Sequence, residues 1–133
     1  MTGDMVFAEK ISHNFASPKR GDIITFEDPN TANRILIKRV IAVGGQTVDI
    51  KNNKVYVDDA ELDEPYTNGL PSKKLNNTTI TYPYTVPEGS VWVMGDNRTN
   101  SSDSRAFGAI SEQNIIGRAL AVYWPMEDAG LLN

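Results

Sequence analysis

An all-β fold is predicted by three features of this sequence. Its apolar runs are short, they are rich in β-branched residues, and turn-forming residues punctuate them at close intervals. The expected architecture is a β-barrel-like arrangement or packed antiparallel sheets with almost no helix. A length of 133 residues suffices for one domain with its own core. With 40% hydrophobic and 23% charged residues, the composition is that of a folded globular chain.

The elements follow from local pattern. Strands are expected at Met5 to Glu9, Asp22 to Phe26 and Arg34 to Val43, the last closed by Gly44-Gly45. Thr47 to Lys51 and Lys54 to Asp58 read as a hairpin. Its turn is Asn52-Asn53, because asparagine tolerates positive φ. From Glu61 to Asn77 the chain is polar and rich in Pro and Gly, as expected of a surface loop or small insert. Strand character returns at Thr79 to Val86 and Ser90 to Met94, separated by Pro87-Glu88-Gly89. A helical turn capped by Ser111 is expected over Ser111 to Ile116, followed by a last strand from Arg118 to Trp124. Residues 1–45 and 86–133 are therefore expected to build the core, with 46–85 as a β-hairpin and loop insert.

Composition excludes several functions. Thirteen basic against 17 acidic residues, net −4, argue against a nucleic-acid partner, which requires a cationic face. With no cysteine and one histidine, His13, the chain offers neither a thiolate nor a multi-histidine metal site, and no metal or cofactor is expected. No apolar run approaches the ~20 residues that span a bilayer.

Lys38 is the first candidate for chemistry. Every second residue of a strand shares a face, so Leu36, Lys38, Val40 and Ala42 are expected on one side, with Ile35, Ile37, Arg39, Ile41 and Val43 on the other. A lysine among aliphatic neighbours is desolvated, which disfavours its ammonium form. A pKa depressed by about three pH units costs roughly 4 kcal/mol and yields a neutral amine near physiological pH. Such an amine accepts a proton from a hydroxyl, whereas the guanidinium of Arg39 stays charged. Periodicity alone leaves another reading open, with Lys38 reaching solvent or pairing with a carboxylate.

The second candidate is the run from Gly95 to Arg105, eleven residues without a large apolar side chain, directly after Val91-Trp92-Val93-Met94. Asp96/Arg98 and Asp103/Arg105 repeat an acid-x-Arg spacing, consistent with a charge-compensated network that stiffens the loop and orients one of its hydroxyls. A calcium loop is excluded, because Arg98 occupies a ligand position and the required glycine and glutamate are missing.

Taken in order, several motifs resemble the type I bacterial signal peptidases, membrane-anchored serine proteases of the Ser-Lys class. They are Gly21-Asp22-Ile23-Ile24-Thr25-Phe26, Ile37-Lys38-Arg39-Val40-Ile41-Ala42-Val43-Gly44-Gly45, and Gly95-Asp96-Asn97-Arg98 through Asn100-Ser101 to Asp103-Ser104-Arg105 and Phe107-Gly108. Glu64-Pro65-Tyr66, Val86-Pro87-Glu88-Gly89 and Ile116-Gly117-Arg118 fit as well. By position, the resemblance implies that Lys38 is the general base and that Ser101 hydrogen-bonds and orients it. It also implies that Asp96, Arg98, Asp103 and Arg105 hold the catalytic region together, and that Leu36 and Ile37 line small substrate pockets. The partners implied are signal peptides of exported preproteins and the membrane surface, with Met5, Val6 and Phe7 as membrane-facing candidates. The implied location is the bacterial cell membrane, with the catalytic domain outside the cytoplasm and this fragment soluble.

The family's nucleophile lies in a Ser-x-Met-x-Pro-Thr motif upstream of the position matching Gly3-Asp4, and these 133 residues do not contain it. The expectation is a fragment whose parent carries the serine and the membrane anchor. The alternative is a non-catalytic peptide-binding module of the same fold. A self-cleaving repressor-type Ser-Lys protease is a weaker rival, because it leaves the block from Asp96 to Arg105 unexplained.

Overall fold

Backbone hydrogen bonding organises the chain around one long strand. The computed structural model describes residues 7–9 and 17–119. Its strands are β1 (Phe7–Glu9), β2 (Ile23–Glu27), β3 (Ile35–Val43), β4 (Thr47–Lys51), β5 (Lys54–Val57), β6 (Ala60–Glu61), β7 (Tyr84–Thr85), β8 (Ser90–Met94), β9 (Ile110–Ser111) and β10 (Ile115–Ala119). Helical structure among the described residues is confined to α1 (Ser104–Phe107) and two 3-10 turns, Pro65–Thr67 and Glu112–Asn114. Six strands form one sheet in the order β1-β10-β2-β3-β8-β9, and four form a second in the order β6-β5-β4-β7. All described pairings are antiparallel. The all-β prediction holds.

The turns obey their side chains. Asn52 and Asn53 both take positive φ, 53° and 65°, so they close the β4–β5 hairpin as expected. Gly45 has φ +88° and its N–H donates to the Val86 carbonyl. A Cβ on Gly44 would lie 2.9 Å from Glu88 Cα, so this turn has no room for a side chain at its first residue. Ser111 caps the second 3-10 turn, its Oγ accepting from Gln113 N–H.

Elsewhere the expectations need correction. The run from Thr79 to Val86 supplies only the two-residue β7, because Pro83 brings no N–H and breaks the ladder. β10 begins at Ile115, earlier than Arg118; residues 120–124 of the strand expected there, and Met5 and Val6 of the one expected at Met5 to Glu9, lie outside the described residues. His13 also lies outside them. The side chains of Met5, Val6 and Phe7, candidates for membrane contact, are likewise not described.

A second correction concerns the faces of β3. Its pairing with β8 runs Arg39↔Met94 and Val40↔Val93, then shifts to Ala42↔Trp92 and Val43↔Val91, leaving Ile41 as the extra residue of a bulge. Past a bulge the alternation inverts. Leu36 and Val40 pack with Ile24, Phe26, Val91, Val93, Ile110 and Ile115, and Val43 joins that cluster. Ile41 and Ala42 pack together on the other side, with Val48, Ile50, Val55, Val57, Val86, Trp92 and Met94. Strict alternation had put Ala42 with Lys38 and Val43 with Arg39. The bulge reverses both.

One core thus lies inside the six-stranded sheet, which curls into a half-barrel, and the other lies between the two sheets. Each fully buried aliphatic or aromatic side chain contributes about 1.5–3 kcal/mol. Ring contacts tie both cores. Phe26 meets Phe107 edge-on at 6.1 Å, and Trp92 meets Tyr84 at 4.8 Å and Tyr82 at 6.0 Å.

Candidate active site

Two adjacent residues of β3 place cations on opposite faces of the sheet. Lys38 pairs with Ile24 across the β2 ladder and sits on the side of Leu36 and Val40, where it is 0% exposed. Its Nζ has no hydrogen-bond partner among the described residues. Burial lowers its pKa from 10.5 to about 8, against the opposing pull of the Asp103 carboxylate and with the help of the Arg34 and Arg105 charges. The attraction of the Asp103 charge only partly offsets the desolvation, so the amine gives up its proton more readily than a surface lysine does.

Arg39 is the opposite case. Its Nε and Nη2 donate to the two oxygens of Asp96 at 2.8 Å each, and Nη1 donates to the Gly21 carbonyl at 3.4 Å. The Tyr66 ring lies 4.0 Å from the guanidinium carbon. Strand register explains the pair. Arg39 lies opposite Met94, and Asp96 is two residues further on, where the chain presents its side chain to the same face.

The polar block after β8 is stitched by its arginines. Arg98 donates through Nη1 and Nη2 to Glu64 at 2.9 and 2.6 Å, through Nη1 also to Ser72 Oγ, and through Nε to the Gly95 carbonyl. Burial alone would lower the pKa of Arg98, but the hydrogen bond and charge of Glu64 outweigh it and raise it. Arg105 grips both oxygens of Asp103 at 3.0 and 2.8 Å and donates to the carbonyls of Arg98, Asn100 and Lys73. Asp103 also caps α1, accepting from Arg105 N–H, while Ser104 Oγ accepts from Val93 N–H. These contacts leave the loop little freedom.

The network expected from the acid-x-Arg repeat is present, but its partners differ. Asp103 and Arg105 do pair. Asp96 pairs with Arg39 instead of Arg98, and Arg98 reaches Glu64 in the insert, because the chain bends after Asp96 and Arg98 Nε folds back onto the Gly95 carbonyl, which leaves its terminal nitrogens for Glu64. Ser101 is exposed and its hydroxyl is not bonded to Lys38, whose Nζ is unpartnered. Leu36 is buried beside Lys38, and half-buried Ile37 lies on the other face. Arg39, Glu64 and Tyr66 were not singled out as site residues from sequence. A usable signal existed for the first, since a second cation in an aliphatic strand demands a carboxylate.

Comparisons with known proteins give the family. The family described as "Signal peptidase, peptidase S26" matches residues 1–124. The chain belongs to that family. It is 42% identical to a probable signal peptidase I-1 of Synechocystis sp., over 98% of this chain and 67% of the relative. It is 38% identical to a signal peptidase I of Leptolyngbya laminosa, over 97% of this chain and 64% of the relative. The chain therefore spans about two thirds of the length of these signal peptidases. A solved signal peptidase I from Enterococcus faecalis V583 superimposes with a TM-score of 0.63 at 34% identity, covering 80% of this chain and 99% of that one. Among the described residues no helix is long and apolar enough to cross a membrane, and no group of His, Cys, Asp and Glu is arranged to hold a metal ion.

Proposed function

We propose that this chain is the part of a signal peptidase I that carries its general base, in a serine endopeptidase with a Ser-Lys dyad. The substrates are exported preproteins, cut after signal peptides at small-x-small sites. One observation carries the reading: an amine that is wholly buried, unpartnered and close to neutrality, on the strand where the family places its base. The nucleophile is a serine hydroxyl of the Ser-x-Met-x-Pro-Thr motif, delivered to Lys38 from outside these 133 residues. The whole enzyme works at the bacterial membrane, on its extracytoplasmic side.

In this mechanism neutral Lys38 takes the serine proton as the oxygen attacks the carbonyl at the cleavage site. The lysinium then protonates the leaving amine. A water molecule next attacks the acyl-enzyme with Lys38 again as base. Ser101 is assigned to orienting the amine, and Asp96, Arg98, Asp103 and Arg105 to keeping the loop that carries it in place. Leu36 and Ile37 contribute to the pockets for small side chains.

The test is Lys38→Ala in the intact peptidase, assayed on a preprotein. Turnover should fall by about 10²–10⁴-fold, the size of a general-base contribution, while circular dichroism stays native. In the wild type kcat should rise as pH passes through about 8, because only the deprotonated amine is competent. Undiminished cleavage by the alanine variant would refute the assignment.

A further inference from the structure

The motif Glu64-Pro65-Tyr66 takes no part in these proton transfers, yet it touches both halves of the site. Pro65 opens a 3-10 turn with its φ already set, and Asn68 closes that turn in the left-handed region at φ 55°. Within this rigid turn the Glu64 carboxylate receives both terminal nitrogens of Arg98 at 2.9 and 2.6 Å, and the Tyr66 hydroxyl donates to the same carboxylate at 3.1 Å. The Tyr66 ring lies against the Arg39 guanidinium at 4.0 Å, with the Arg98 guanidinium 5.9 Å from the ring centre. Arg39 is the chain neighbour of Lys38, and it also holds Asp96. Tyr66 thus grips β3 one peptide away from Lys38, and Glu64 grips the 95–105 loop at Arg98, with Pro65 setting the turn that holds both.

We propose that Glu64-Pro65-Tyr66 is a positioning clasp that fixes β3 and the 95–105 loop in one relative geometry and so sets where Lys38 presents its amine. Tyr66 and Glu64 act through Arg39 and Arg98 and touch no reacting atom. The Arg98 side chain is fully buried and Glu64 nearly so, so water does not compete for this pairing, and the clasp is stiff where a surface ion pair would be loose. Proton transfer requires atoms placed to within a fraction of an ångström, which makes a remote clasp kinetically visible. The inference rests on Lys38 being the general base.

Its test is Tyr66→Leu in the intact peptidase, with kinetics on a preprotein across pH and Lys38→Ala run beside it. Losing the ring should lower kcat about tenfold with KM changed less than about twofold, the pattern of a misplaced catalytic group. The acidic limb of the kcat–pH profile should move to higher pH as water reaches the Lys38 strand. Tyr66→Phe, which keeps the ring, should recover most of the rate. A lowered unfolding midpoint with unchanged kcat and unchanged acidic limb overturns the clasp and leaves a purely structural turn. If Tyr66→Leu does not fold, Glu64→Gln is judged by the same readouts. An active Lys38→Ala overturns the general-base reading and the clasp with it. An inactive Lys38→Ala beside a Tyr66→Leu that matches wild type overturns the clasp alone.

Discussion

Lys38 and Arg39 are consecutive, both buried, and treated in opposite ways by the fold. Arg39 is given a two-pronged carboxylate, a backbone carbonyl and an aromatic face, whereas Lys38 Nζ is given no hydrogen-bond partner among the described residues. A cation with a hydrogen bond on each of its three nitrogens is held in its charged form and serves as a rivet. One stripped of water without compensation is unstable in that form and becomes a base. The lowered pKa of Lys38 comes from what the protein withholds from one of two neighbours.

The widest gap between the neighbours appears when a partner is removed. Asp96→Ala leaves the Arg39 charge buried and alone, and should destabilise the domain by about 3–5 kcal/mol in denaturant unfolding. The converse change, Lys38→Met, removes a charge that has no partner to lose. The difference between 10.5 and about 8 corresponds to about 3 kcal/mol of destabilisation from holding the protonated amine in the folded state. Because the folded value is the lower one, the unfolded chain binds more protons between those two pH values, and wild-type stability gains from Lys38 as pH rises through that window. The methionine variant should therefore be more stable than wild type by up to about 3 kcal/mol at pH 7, with the advantage shrinking toward pH 10.5. Comparing unfolding free energies of the two proteins at each pH isolates this one group from the buried tyrosines, which titrate higher. A stability gain that does not change with pH would assign it to packing. The smallest effect belongs to Ser72→Ala, which removes one of several acceptors of Arg98 and should cost about 1 kcal/mol.

Much of this was legible in the sequence where a single residue's environment decides the outcome. Lys38 stood between Leu36 and Val40 on one face of its strand, so its desolvation followed from period-two patterning, and Asn52-Asn53 announced its own hairpin. The interruption of strand character at Pro83 was equally open to reading, but the apolar Ile80, Tyr82 and Tyr84 outweighed it; Ile80 and Tyr82 pack against the core from irregular backbone, and Tyr84 does so from β7. What could not be read was partner choice. Glu64 and Arg98 are 34 residues apart, and Arg39 and Asp96 are 57 apart. Such pairs depend on loop paths that no local pattern encodes. The four-residue α1 was hidden because its capping aspartate is also the partner of Arg105, and a polar run of that kind looks the same whether it turns or wanders.

The bulge at Ile41 has a consequence for engineering. Because the alternation of β3 inverts at Ile41, Ile41 and Ala42 both face the inter-sheet layer, and the smaller sheet packs on the back half of the same strand whose front half bears the amine. Transplanting the 46–85 segment from a relative would therefore succeed only if the donor's residue at the crossover came with it. A graft that straightened β3 would turn Ala42 and Val43 inside out and unseat both layers at once.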